Sequence, residues 1–233
     1  MIELKEYLMN EDGLQTDVME FFHMDDMEQF NYGYCNSDFY AWDRCYKKFQ
    51  QSSFPLQDED SMIELCFSLI GYLDAWGMYG RNALLAKNKV TCKEFKKVVN
   101  CLLNQKEDLE GIGFHQWEEK KELVQKLYDS LQTNIPSATE TLCSKILLGT
   151  LACVPAFDVN VEKGLRNSCQ HEKFLNFTDK VCALVHHCRK INLLDVPIAR
   201  RLKNLGQPDM KIADFCFFFY GKHIISENKK VMK

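Results

Sequence analysis

The stretch IPSATETLCSKILLGTLACVPAFD, residues 135–158, decides the fold. Leu142 to Leu151 reads as a strongly apolar helix. Pro155 does not continue it, and Asp158 stands just before VNVEKGLRN, residues 159–167. An aspartate there reads as an N-cap, because its side chain accepts from the free N–H groups that open a helix. Lys145 lies inside the apolar run beside Ser144. Its stem can snorkel the charge to the surface, or the ammonium can pair with Asp158 or Asp214.

Helical signals continue on both sides of this stretch. Upstream, Leu123, Leu127 and Leu131 mark a helix ending near Asn134. Thr91 and Glu94 have the spacing of a capping box, ahead of an apolar face of Phe95, Val98, Val99 and Leu102. Met62, Cys66, Leu69 and Leu73 follow helical spacing behind acidic N-terminal signals from Asp58 to Ser61. Phe39, Trp42, Cys45 and Phe49 predict a helix that ends before Pro55. Downstream, residues 174–189 form a long amphipathic stretch, and a shorter one follows Pro197. A last helix is expected from about Pro208 to Gly221. Its run FCFFFYG also suits a strand, but Met210, Ala213, Phe217 and Tyr220 make a buried helical face.

Five prolines and eleven glycines in 233 residues favour helices over a turn-rich β protein. The expected fold is therefore all-α, a multi-helix globular domain. Polar, acidic composition around Gln57 to Asp60 marks a boundary. It gives an acidic, aromatic N-terminal helical appendage over 1–57, a main helical domain over 58–224 and a polar tail over 225–233.

The formal net charge of -4 and pI of about 5.9 argue against a dedicated, sequence-independent nucleic-acid binder, although they leave room for a local basic face. Eleven cysteines are spread along the chain, several inside apolar runs, such as Cys66 and Cys216. Reduced thiols serving as small hydrophobes are expected. The opening MIELKEYLMNEDG has no secretory-signal pattern, and no apolar run reaches membrane-spanning length. A cytoplasmic location with no membrane partner is the expectation. There is no P-loop, GxSxG, HExxH or GxGxxG, and no cofactor is expected. Cys182, His186, His187 and Cys188, with His171, supply metal-ligand types. The chain has no CxxC pair, however, and adjacent histidines face different ways, so no metal is expected.

Three segments carry a resemblance: YLDAWGMYGRNALL (72–85), TLCSKILLGTLACVPAFD (141–158) and QPDMKIADFCFFFYG (207–221). Together they resemble an uncharacterised family of small bacterial proteins, over most of residues 60–221. That likeness implies order and no activity. Residues 135–161 also resemble the helix-hairpin-helix and following loop of base-excision DNA glycosylases. The resemblance implies a helix-hairpin-helix glycosylase-like core with Asp158 at the catalytic aspartate position, three residues before Val161. Such an aspartate stabilises an oxocarbenium-like sugar or positions water at C1′. Ser137, Ala138 and Thr139 stand where that family has hairpin glycines, and its nucleophilic lysine falls near Glu140. No iron–sulfur cysteine cluster follows.

Further residues invite a site reading. Trp76, Tyr79, Arg81 and Asn82 cluster around Gly77 and Gly80. They could stack on a base or grip a phosphate, or they fill a tight helix corner with Arg81 against Asp74. Arg200 and Arg201, with Lys203, Arg189 and Lys190, form the densest C-terminal basic group, as phosphate contacts or as a solvated helix face. The first functional expectation is a helical module binding DNA or a nucleotide-like ligand. A glycosylase-like hydrolase using Asp158, with Lys145 beside it, is the second. The third is a protein-interaction module that presents exposed aromatics from Tyr32 to Trp42.

Overall fold

A computed structural model describes residues 2–22, 37–56, 58–80, 84–169 and 174–231. Among them there is no strand. In chain order the helices are α1 Leu4–Met9, α2 Glu11–Phe22, α3 Ser37–Gln51, α4 Glu59–Ala75, α5 Leu84–Lys87, α6 Cys92–Asn104 and α7 Lys106–Leu109. They continue with α8 Trp117–Asn134, α9 Glu140–Thr150, α10 Val159–Ser168, α11 Phe177–Lys190, a 3-10 turn Leu193–Asp195, α12 Pro197–Asn204 and α13 Asp209–Val231.

The capping chemistry sets several boundaries. The Thr91 side chain accepts from the Lys93 N–H, and the Glu94 carboxylate accepts from the Thr91 N–H at 2.8 Å, which completes the capping box of α6. Asp58 caps α4 by accepting from the Ser61 N–H at 2.7 Å. Thr139 caps α9 and Asn176 caps α11 in the same manner.

α9 lies at the centre and touches α3, α4 and α8. Every side chain from Leu142 to Thr150 is buried, including Ser144 and Lys145. Around it α3 packs on α4, α4 on α6, and α6 on α8, while α11 also lies against α8. The most extensive packing joins α10 to α13. Gly164 and Gly221 let these two helices meet at their backbones. A Cβ on Gly164 would lie 2.5 Å from the Phe217 carbonyl oxygen, and one on Gly221 would strike the Asn160 carbonyl.

The FCFFFYG run is helical, not extended: Met210, Ala213, Phe217 and Tyr220 are all fully buried along α13. The final helix does not stop at Gly221 but runs on to Val231. Gly221 is a contact point inside the helix, and the residues after it contain no proline. The N-terminal segment shares the core of the rest. Leu4, Tyr7, Leu8, Trp42, Cys45 and Phe49 belong to the same apolar cluster as Leu147 and Phe217. α1 and α2 both lie against α13. No described helix is long and apolar enough to cross a membrane.

Candidate functional site

Burying an ionised side chain costs several kcal/mol unless a partner and hydrogen bonds offset the lost hydration. Among the described residues Lys145, Asp209, Lys211 and Asp214 are buried, and Asp158 is nearly so. Asp209 pairs with the exposed ammonium of Lys203, and the other four form two ion pairs beside Trp76.

Asp158 opens α10, and its backbone is extended there at φ -87 and ψ 179. One carboxylate oxygen, Oδ1, accepts from the N–H groups of Asn160 and Val161 at 2.9 and 3.0 Å. The other, Oδ2, faces Lys145 Nζ at 3.8 Å. The residue thus caps its helix and also turns an oxygen toward a buried cation. Burial holds the carboxyl above its ordinary pKa, and nearby Asp214 adds to the rise. Lys145 and the two capping N–H groups pull the other way.

The loop that presents Asp158 is fixed along its length. Thr141 Oγ donates to the Phe157 carbonyl at 2.9 Å, and the Phe157 N–H donates to Ser144 Oγ at 2.9 Å. One residue earlier, the Ala156 N–H donates to Asp214 Oδ1 at 2.9 Å. Asp214 Oδ2 pairs with Lys211 Nζ at 3.0 Å, one helical turn back on α13. The second ion pair therefore holds the loop that aims the first.

Trp76 lies between the pairs. α4 ends there in a Schellman turn: the Met78 N–H donates to the Leu73 carbonyl and the Gly77 N–H to that of Asp74. Gly77 takes φ +73, a left-handed value that glycine adopts without penalty. Lys145 Nζ sits 4.3 Å from the Trp76 ring centroid, and Lys211 Nζ lies 5.8 Å from it. Phe218 meets the ring edge-on at 6.2 Å. The indole Nε1 is buried and has no hydrogen-bond partner among the described residues. Buried polar atoms are nearly always satisfied. Ser168 Oγ, His187 Nε2 and Gln207 Oε1 share this state elsewhere among the described residues, and Trp76 alone of the four lies beside these two ion pairs.

The walls come from α3 and α4. Lys211 Nζ is 5.0 Å from the Trp42 ring, whose Nε1 donates to the Leu148 carbonyl at 3.1 Å. Tyr72 packs its ring where a side chain on Gly149 would stand. Burial pushes the Tyr72 hydroxyl well above its usual pKa, and Asp214 and Asp158 add to the effect.

The structure thus brings Trp76, Lys145 and Asp158 together. Tyr79 lies nearby in sequence and donates to the Val90 carbonyl at 3.4 Å. Burial, with Asp74 and Glu94, pushes its hydroxyl up to about 12. Arg81 and Asn82 lie outside the described residues. Arg200 and Arg201 stand elsewhere, on α12. The Arg200 guanidinium donates to the Asp195 carbonyl at 2.5 Å, and Arg201 lines a groove with Leu8, Leu14 and Val18. Trp42 and Lys211 join the cluster without a sequence signal that placed them there, and Asp214, one of the two expected partners of Lys145, pairs with Lys211 instead. The signal available for that pair was a lysine and an aspartate three residues apart inside the apolar run MKIADFCFFFY.

The expected aromatic surface is only partly present. Tyr40 is exposed with Arg44 over its ring, but Trp42 is buried; residues 32–36 lie outside the described set. Among the described residues no three His, Cys, Asp or Glu side chains are gathered as metal ligands. Cys182 instead accepts from the Trp117 indole at 3.1 Å, while His187 lies against Phe217. His171 lies outside the described residues. The described cysteines are free thiols, and burial pushes Cys143 and Cys153 up to about 12, as befits small hydrophobes.

No protein-family model, curated protein or solved structure matches this chain.

Proposed function

We propose that the protein binds a nucleobase or nucleotide-like ligand, carried on a nucleic acid, at the Trp76–Lys145–Asp158 cluster. The observation that carries this reading is the buried Lys145–Asp158 pair lying on Trp76, whose N–H has no acceptor among the described residues. Such a pair is a poor device for stability, since apolar residues of the same volume serve as well or better. Perturbed, partly desolvated ionisable groups gather where ligands bind. The indole N–H is an orphan donor, Lys145 a cation, and Asp158 Oδ2 an acceptor. That set suits a flat heterocycle with polar edges and a phosphate nearby.

The order of elements supports a helix-hairpin-helix glycosylase-like scaffold for this site. α8 and α9 are joined by the short turn 135–139, and Ser137 adopts φ +57 there. A loop then leads to an aspartate at the head of α10.

A second reading is N-glycoside hydrolysis, favoured by one specific feature: the cap uses Oδ1 and leaves Oδ2 toward the cluster. In that reaction water would bond to C1′ as the C1′–N bond breaks, with the bonding pair leaving on the base. Asp158 would take the proton from water, and Lys145 would protonate the departing nitrogen.

Equilibrium binding of nucleosides and short oligonucleotides to wild type and Lys145→Met tests the first reading. Saturable binding, weakened in the variant, is expected; no binding to wild type refutes it. Asp158→Asn tests the second. Asparagine is an equally good cap but leaves the buried Lys145 ammonium without its carboxylate, so base release should stop in a variant whose folded state is verified by unfolding curves on the same samples. Undiminished release in that variant removes the hydrolytic reading.

A further inference from the structure

Between Leu84 and Asn104 the chain carries five lysines against one carboxylate, in a molecule whose formal net charge is -4. The one acid, Glu94, is held within the capping box by Thr91. Lys96 is paired with Glu59. The other four, Lys87, Lys89, Lys93 and Lys97, are exposed and make no ion pair among the described residues. They are a local basic surface on an otherwise acidic protein.

Its position is fixed by two contacts. Asn88, between Lys87 and Lys89, donates its side-chain amide to the Pro136 carbonyl at 3.0 Å. This ties the lysine turn to the turn 135–139 that joins α8 to α9, in which Pro136, Ser137 and Thr139 are exposed and Ile135 is buried. On its other flank, Val90 accepts from the Tyr79 hydroxyl, three residues beyond Trp76. α9, which follows the tied turn, carries Lys145, and its Thr141 holds the Phe157 carbonyl next to Asp158. The lysine turn is therefore linked on one side to the strand of chain leaving Trp76, and on the other to the helix bearing Lys145.

We propose that the Lys87–Lys89 turn, with Lys93 and Lys97 on α6, binds the phosphodiester backbone of a nucleic acid. This rests on the ligand reading above and supplies what that reading lacks, an anchor for the strand that carries the base. Exposed lysines bind phosphates by releasing condensed counterions, with little loss of solvation.

The test uses the full chain, a labelled DNA duplex, the matching single strand and free nucleosides, across a salt series. Wild type is compared with Lys87→Glu/Lys89→Glu, with the milder Lys87→Gln/Lys89→Gln, and with Arg200→Glu/Arg201→Glu as a remote control. The expected result is oligonucleotide binding weakened about 10-fold or more by the first variant, and less by the second. The slope of log affinity against log salt should fall by about 1–2, and nucleoside affinity should be unchanged. Wild-type affinity and slope in both lysine variants overturn the proposal, as does equal weakening in the arginine control. Nucleoside binding by wild type without oligonucleotide binding overturns it while leaving the ligand site standing. If wild type binds neither, both fall.

Discussion

Replacing Asp214 with asparagine should destabilise the protein far more than replacing Asp214 and Lys211 together. Asp214 accepts from the Ala156 N–H through Oδ1 and pairs with Lys211 through Oδ2, and both side chains are buried. Asparagine keeps an oxygen for the Ala156 N–H and loses only the charge. The buried ammonium of Lys211 is then stripped of its carboxylate at 3.0 Å. Breaking a buried ion pair from one side costs about 3–5 kcal/mol. For a chain of this size each kcal/mol moves Tm by roughly 2–4 °C, so a fall on the order of 10 °C is expected. In Lys211→Met/Asp214→Asn both charges are gone and the methionine fills the lysine's volume. Its stability should return to within about 1 kcal/mol of wild type, because a buried pair is worth little beyond its apolar replacement. Urea unfolding at matched m-values, with calorimetry, measures both variants. A double variant as unstable as the single would refute the reasoning, because the pair would then be a net source of stability and not a retained functional feature.

Other outcomes follow from the same contacts. Thr91→Ala breaks the capping box and should cost about 1 kcal/mol in urea unfolding. Gly71 and Gly221 both lie inside helices, where alanine has the better propensity by about 1 kcal/mol. A Cβ on Gly71 meets nothing within 4 Å, so Gly71→Ala should raise Tm. A Cβ on Gly221 strikes the Asn160 carbonyl of α10, so Gly221→Ala should lower stability by about 1–3 kcal/mol through overpacking, and Tm with it. Burial lowers the pKa of His187 below its ordinary 6.5, so the folded state resists its protonation. Stability should fall as pH drops from 6.5 toward the lower folded value, and His187→Gln should flatten that part of the pH–stability curve.

What could be read in the sequence was local chemistry. Thr91 with Glu94 and Asp158 before VNVEKGLRN announce helix starts through bonds that span three residues or fewer. Lys145 was recognisable because a lysine in an apolar helix needs a partner. Which partner it takes was not: Asp158 and Asp214 were both open, and only the packing of α9, α10 and α13 assigns them. Trp42 and Asp214 lie more than fifty residues from the chain segments they contact, Leu148 and Ala156, and no periodicity reports such meetings. Gly221 resembles a helix stop until α10 is seen against it, since a glycine that ends a helix and one that admits a neighbour look the same in sequence.

The central claim is that Trp76, Lys145 and Asp158 form a ligand site and not merely a core contact. Binding of a single-stranded DNA oligonucleotide by wild type and by Trp76→Leu, measured at low salt with unfolding curves on the same samples, tests it most directly. Losing the indole N–H as a donor to the ligand costs about 1–2 kcal/mol, so affinity should fall about 10-fold in the variant, with the fold intact. Equal affinity in the two proteins, or binding of neither the oligonucleotide nor free nucleosides by wild type, would contradict the claim.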